Sequence, residues 1–125
     1  MSLSPSDGSF PVYREEIAGF SVQELAHQYG TPTYVYDAEA IQQRIADVQQ
    51  FDVVRYAQKA NSNIAILAMM KQHAVVLDAV SAGEIHRALR VGYSGGMRED
   101  GVHEIVYTAD IFDDQNCPNS VRCQN

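Results

Sequence analysis

Apolar positions along the chain change period several times, and each change marks an element. Val22, Leu25, Ala26 and Tyr29 recur at helical spacing behind Ser21-Val22-Gln23-Glu24, a capping-box sequence. Gly30 ends that helix as a left-handed cap. Thr33-Tyr34-Val35-Tyr36 is β-branched and aromatic and predicts a strand. Asp37 caps a helix over about 38–50, with Ile41, Ile45 and Val48 on one face. A strand over 53–57 leads to Asn61-Ser62-Asn63, which offers caps for a helix over about 64–72. Ile64, Leu67, Ala68 and the neighbouring methionines are its expected core filling. Ala74-Val75-Val76-Leu77 predicts a buried strand. A second capping box, Ser81-Ala82-Gly83-Glu84, opens a helix with Ile85, Ala88, Leu89 and Val91, closed by Gly92. Glu104-Ile105-Val106-Tyr107 predicts a third strand.

From residue 38 onward the order is therefore helix, strand, helix, strand, helix, strand. That alternation implies an α/β fold with parallel strands and covering helices. Polar residues follow each strand: Lys59, then Asp78, then Thr108 and Asp110. In a βα barrel these converge on one face, although strand ends also carry polar residues simply because they meet solvent. Gly95-Gly96 lies between a helix and a strand without a following Lys-Ser or Lys-Thr, and reads as a turn.

Three barrel-type strands do not close, because a complete barrel needs eight and about 250 residues. The expected organisation is a flexible segment over 1–20, a partial barrel with its preceding helix and strand over 21–112, and a polar, disordered tail over 113–125.

Composition narrows the function. The 125 residues carry a net charge of −7, which argues against a nucleic-acid or anionic-membrane partner. The N-terminal residues have no basic and apolar regions of a signal peptide, and the longest apolar run, Ile64 to Met70, is far too short to span a bilayer. A cytoplasmic location is expected. Cys117 and Cys123 have the spacing of neither a redox pair nor a zinc knuckle, and the four histidines are scattered, so no metal site is expected.

Lys59 carries the candidate chemistry. A lysine between a strand end and a helix start, with apolar neighbours, is expected to lose solvation; that favours the free amine and Schiff-base formation. A solvated surface lysine is the other reading of the same spacing.

The surrounding motif decides between them. Tyr56-Ala57-Gln58-Lys59-Ala60-Asn61-Ser62-Asn63 resembles the cofactor-lysine motif of the alanine-racemase-like, fold-type III pyridoxal-phosphate enzymes. Gly30-Thr31-Pro32-Thr33-Tyr34-Val35-Tyr36-Asp37 and Asp78-Ala79-Val80-Ser81-Ala82-Gly83-Glu84 are similar to segments of the group IV decarboxylases, most of all their diaminopimelate branch. Ile105 to Asp110 resembles the third-strand segment, so the likeness covers about residues 20–112. It implies the N-terminal part of a (β/α)8 TIM-like barrel that binds pyridoxal 5'-phosphate.

It further implies that Lys59 forms the Schiff base with that cofactor, and that Asp78 lies nearby, positioning the ammonium or holding its charge. Asp78 has a second candidate role in capping the strand-to-helix turn, and the helix-cap role already explains Glu84. The implied reaction is decarboxylation of meso-2,6-diaminopimelate to L-lysine, with an amino-acid substrate and a homodimer as the family assembly. Two alternatives stay open: a non-catalytic pyridoxal-phosphate-binding remnant, and a decarboxylase of another basic amino acid. The family's phosphate-binding glycines, pyridine-facing carboxylate, substrate arginine and proton-donating cysteine lie later in the chain or on a partner subunit. The 125-residue chain alone is therefore expected to be inactive; decarboxylase turnover by a purified, mass-verified sample would overturn this.

Overall fold

The structure, a computed structural model, describes residues 13–108. The chain divides into two compact units, Met1–Arg44 and Ile45–Asn125. The tail expected over 113–125 and the residues before Tyr13 lie outside the described residues.

The first unit opens with a hairpin of β1 (Glu16–Ile17) and β2 (Phe20–Ser21), antiparallel in the register Glu16↔Ser21 and Ile17↔Phe20. Its two-residue turn places Ala18 at φ 52° and Gly19 at φ 78°, the sign pattern that matches the twist of paired strands. This hairpin stands inside the segment expected to lack regular structure. Helix α1 (Val22–Tyr29) follows, with the Ser21 hydroxyl accepting the Gln23 amide at 3.2 Å, one residue earlier than a capping box requires. No residue of α1 is buried.

Thr33–Tyr36 forms no strand. Tyr34 is 90% exposed and no partner strand pairs with the segment among the described residues, so its β-propensity has nothing to act on. Asp37 caps α2 (Ala38–Val48) as expected, accepting the Glu39 and Ala40 amides at 2.9 and 3.2 Å. Ile45 is buried and Ile41 and Val48 are half-buried, the face that the spacing predicted.

The second unit carries a parallel sheet in the order β3 (Arg55–Ala57), β4 (Val76–Ala79), β5 (Ile105–Tyr107). Helices α3 (Ile64–Gln72) and α4 (Ala82–Arg90) connect and cover it. The register runs Tyr56↔Leu77↔Ile105, Ala57↔Asp78↔Val106 and Ala79↔Tyr107. Side chains alternate between faces along a strand. Leu77, Ala79, Ile105 and Tyr107 accordingly form one buried cluster with Leu67 of α3 and Ile85 and Ala88 of α4. Ile66 and Met70 also bury, whereas Ile64, in the first turn of α3, stays 49% exposed and is not core. Each fully buried Leu or Ile here is worth about 1.5–3 kcal/mol.

The N-terminal ends of β4 and β5 are locked by a polar cluster. The Tyr93 hydroxyl donates to the Val75 carbonyl at 2.8 Å. Lys71 stands over the Tyr93 ring, 4.9 Å from its centroid, donates to the Gly92 carbonyl and faces Glu104 at 3.9 Å. The Ser94 amide donates to the same Glu104 carboxylate. Burial, and secondarily the Glu104 charge, push the Tyr93 phenol well above its usual range.

Among the described residues His103 Nδ1 is buried without a hydrogen-bond partner, and Gln58 is the larger exception. It is 1% exposed, yet neither its Oε1 nor its Nε2 has a hydrogen-bond partner.

Two stability predictions follow from these contacts. Tyr93→Phe leaves the Val75 carbonyl without its buried donor and should cost about 1–3 kcal/mol at neutral pH, read as a fall in the urea midpoint. The raised phenol binds its proton more tightly when folded, so its contribution is complete below the unfolded value of about 10 and declines as pH rises above it. The gap between the unsubstituted chain and Tyr93→Phe should therefore narrow in alkali; a constant gap would show that the phenol does not titrate differently on folding. Gln58→Met removes a desolvated, unpaired amide at similar volume and should raise stability by about 1–3 kcal/mol in the same assay. A loss of stability would show that the amide has a partner in solution.

Candidate active site

The parallel register carries the C-terminal ends of β3, β4 and β5 to one edge of the sheet, and the polar residues collect there. Asp78 pairs with Ala57 and Val106, and therefore faces away from the helix-covered cluster. Its Oδ1 accepts the Thr108 hydroxyl at 2.6 Å, and the Thr108 amide donates to the Ala79 carbonyl at 3.0 Å. Two of the strand-end residues singled out by sequence are thus in direct contact. Asp110 lies outside the described residues.

Lys59 stands two residues beyond Ala57, the register partner of Asp78. It occupies a single 3-10 turn, Gln58–Ala60, between β3 and α3. The loss of solvation expected for it is not found: Lys59 is exposed. The turn gives its one buried position to Gln58 and directs the next residue outward. Among the described residues Lys59 makes no ion pair with Asp78.

The chain after Lys59 is held by several hydrogen bonds between Asn61 and Ala65. The Tyr56 hydroxyl donates to the Asn61 carbonyl at 2.8 Å. Asn61 Oδ1 accepts the Asn63 amide at 3.0 Å, and Asn63 Oδ1 accepts the Ala65 amide at 2.9 Å, capping α3 as its sequence predicted. Arg87 of α4 donates from Nη1 to the Ser62 hydroxyl at 2.8 Å.

The second capping box forms in a modified way. The Ser81 hydroxyl accepts the Glu84 amide at 3.3 Å, while Glu84 Oε2 accepts the amide of Val80 at 2.8 Å. Glu84 is 8% exposed, so its carboxylate is committed to the turn and not to the strand-end cluster. Sequence reasoning read Tyr56 and Ser62 only as parts of the motif, with a candidate capping role for Ser62, and gave Arg87 no role; nothing in the spacing shows that Arg87 meets Ser62 or that Tyr56 meets Asn61. No group of three or more His, Cys, Asp or Glu among the described residues is arranged to hold a metal ion. No helix among them is long and apolar enough to cross a membrane.

The comparisons agree with the motif. The family model of the pyridoxal-dependent decarboxylases, pyridoxal binding domain, matches residues 37–117. Diaminopimelate decarboxylase from Escherichia coli strain K12 is 46% identical over 98 residues, which are 78% of this chain and 23% of that protein. The Streptomyces coelicolor enzyme of the same name is 42% identical over 109 residues, 87% of this chain and 24% of its own. A crystal structure of diaminopimelate decarboxylase superposes with a TM-score of 0.66 at 48% identity, covering 74% of this chain and 21% of that one. The Helicobacter pylori enzyme complexed with L-lysine superposes with a TM-score of 0.55 at 34% identity, covering 68% and 21%. The chain thus spans about a quarter of the length of the curated relatives it matches. With a matching family model over most of its length and a parallel βα sheet shared with solved members, the chain belongs to the pyridoxal-dependent decarboxylase family and carries part of its pyridoxal-binding barrel.

Proposed function

We propose that this chain supplies the lysine-bearing part of a pyridoxal-phosphate-dependent decarboxylase that converts meso-2,6-diaminopimelate to L-lysine, with Lys59 as the cofactor-binding residue. The observation that carries the proposal is the placement of Lys59: an exposed primary amine at the C-terminal end of a parallel strand, within the family motif. The relatives' names supply the substrate, and the whole enzyme's dimer is the expected assembly.

The residues present suit the cofactor. An amine held on a short turn and not spent on an ion pair with Asp78 is the donor that an aldehyde requires. Pyridoxal phosphate, when bound, supplies that aldehyde and a conjugated ring that takes up the electron pair released as carbon dioxide leaves. Lys59 would hold the group by its amine. Asp78 is fixed in orientation by the Thr108 hydroxyl, and its carboxylate favours positive charge at the same strand ends. Glu84 is given no role in the chemistry, since its Oε2 accepts the Val80 amide and serves the turn before α4.

Reductive trapping tests the assignment. The chain is incubated with pyridoxal phosphate, reduced with borohydride, digested and mapped by mass spectrometry. Lys71 is the internal control, since it is held by the Gly92 carbonyl and the Tyr93 ring. Lys59 should be modified about tenfold more than Lys71, the ratio given by about 1.4 kcal/mol of preference, and Lys59→Ala should abolish the excess. Equal modification of both lysines, or of neither, would overturn the assignment.

A further inference from the structure

Among the described residues no hydrogen bond or ion pair holds the Lys59 side chain, so the position of its amine is set by the backbone turn that carries it. The residues directly after that turn are tied to two packed elements. On one side is Tyr56, half-buried against the core cluster, whose hydroxyl reaches past the lysine to the Asn61 carbonyl at 2.8 Å. On the other is Arg87, whose helix is rooted by buried Ile85 and Ala88, and whose guanidinium donates to Ser62 at 2.8 Å.

The capping of α3 does not account for these two bonds. Asn63 already caps the helix through the Ala65 amide, and Asn61 orients Asn63. The Tyr56 hydroxyl bonds the Asn61 carbonyl and Arg87 the Ser62 hydroxyl, on the two residues that join the Lys59 turn to α3. Both side chains spring from packed elements, the arrangement that holds a reactive group to a narrow range of positions.

We propose that Tyr56 and Arg87 are positioning residues for Lys59, holding the segment that follows its turn at Asn61 and Ser62 so that the amine is presented to the cofactor aldehyde. The proposal rests on the reading of Lys59 as the cofactor lysine. It also makes the second βα unit, through Arg87, part of the machinery that orients the lysine of the first.

The test uses the 125-residue chain and two readouts: amide hydrogen exchange over Lys59–Asn63, and the ratio of Lys59 to Lys71 trapping by pyridoxal phosphate and borohydride. Tyr56→Phe should speed exchange over that segment and lower the trapping ratio by about fivefold, the effect of one hydrogen bond of ordinary net strength. Ser62→Ala and Arg87→Met should each lower the ratio by about twofold to fivefold, as exposed hydrogen bonds allow, and together by no more than either alone. Arg87→Lys, which keeps a donor, should retain most of the ratio. Ser62→Ala removes a single oxygen and keeps the test decisive if Tyr56→Phe does not fold. Faster exchange with an unchanged trapping ratio would assign these residues to stability alone and overturn the proposal, as would no change in either readout. A lack of Lys59 preference in the unsubstituted chain, seen before any variant is made, would overturn the reading of Lys59 and this proposal with it.

Discussion

Strand β4 is hydrogen-bonded on both edges, and its register decides what the rest of the second unit can do. Leu77 and Ala79 point into the helix-covered cluster and are fully buried, so a slip of one residue would expose both and bury Asp78 in their place. The cost of burying an unpaired carboxylate among Leu67, Ile85 and Ile105 makes that slip prohibitive. Fixing β4 in this way also fixes Ala57 and Val106 opposite Asp78. Lys59 and Thr108 then arrive, two residues on in each neighbouring strand's path, at the same edge. The candidate chemistry is therefore a consequence of apolar packing on the opposite face of the sheet.

The sequence was most legible where a local rule acts without help from distant residues. Asp37, Asn63 and Ser81 cap the helices that their positions predicted, because the bond partners lie within three residues. The three parallel strands were legible as short β-branched or apolar runs between helical patterns, although the second, expected over 74–77, forms over Val76–Ala79 and so contains Asp78 instead of ending before it. Legibility failed where a partner was needed. Thr33–Tyr36 has strand composition but no neighbour to pair with among the described residues. The hairpin at Ala18-Gly19 was missed because alanine is an unusual occupant of a positive-φ turn position.

The site shows the same division. That Lys59 belongs to a motif was visible; that it is exposed while Gln58 is buried was not, because the choice depends on a three-residue turn whose phase the spacing does not fix. Asp78 meets Thr108 across 30 residues of chain, and Arg87 meets Ser62 across 25. Such pairs are set by register and helix packing, which a single sequence carries only through its family likeness.

Stability and the candidate chemistry occupy opposite ends of the sheet. The Tyr93, Lys71 and Glu104 cluster closes the segments entering β4 and β5, and it uses its charges on one another and on backbone carbonyls. At the exit ends the polar side chains are less committed: Lys59 is exposed and Asp78 half-buried with a single hydroxyl donor. In parallel βα architecture the exit end is where loops are free to vary without disturbing the layer that holds the strands. Lys59 is thus distinguished from Lys71 and Arg87 by location more than by composition. Lys71 is consumed by the stabilising end, and Arg87 is spent on the Ser62 hydroxyl. Lys59 is the cation that the register brings to the exit end of β3 with its amine turned to solvent, and the bonds around it fix the turn without occupying the amine.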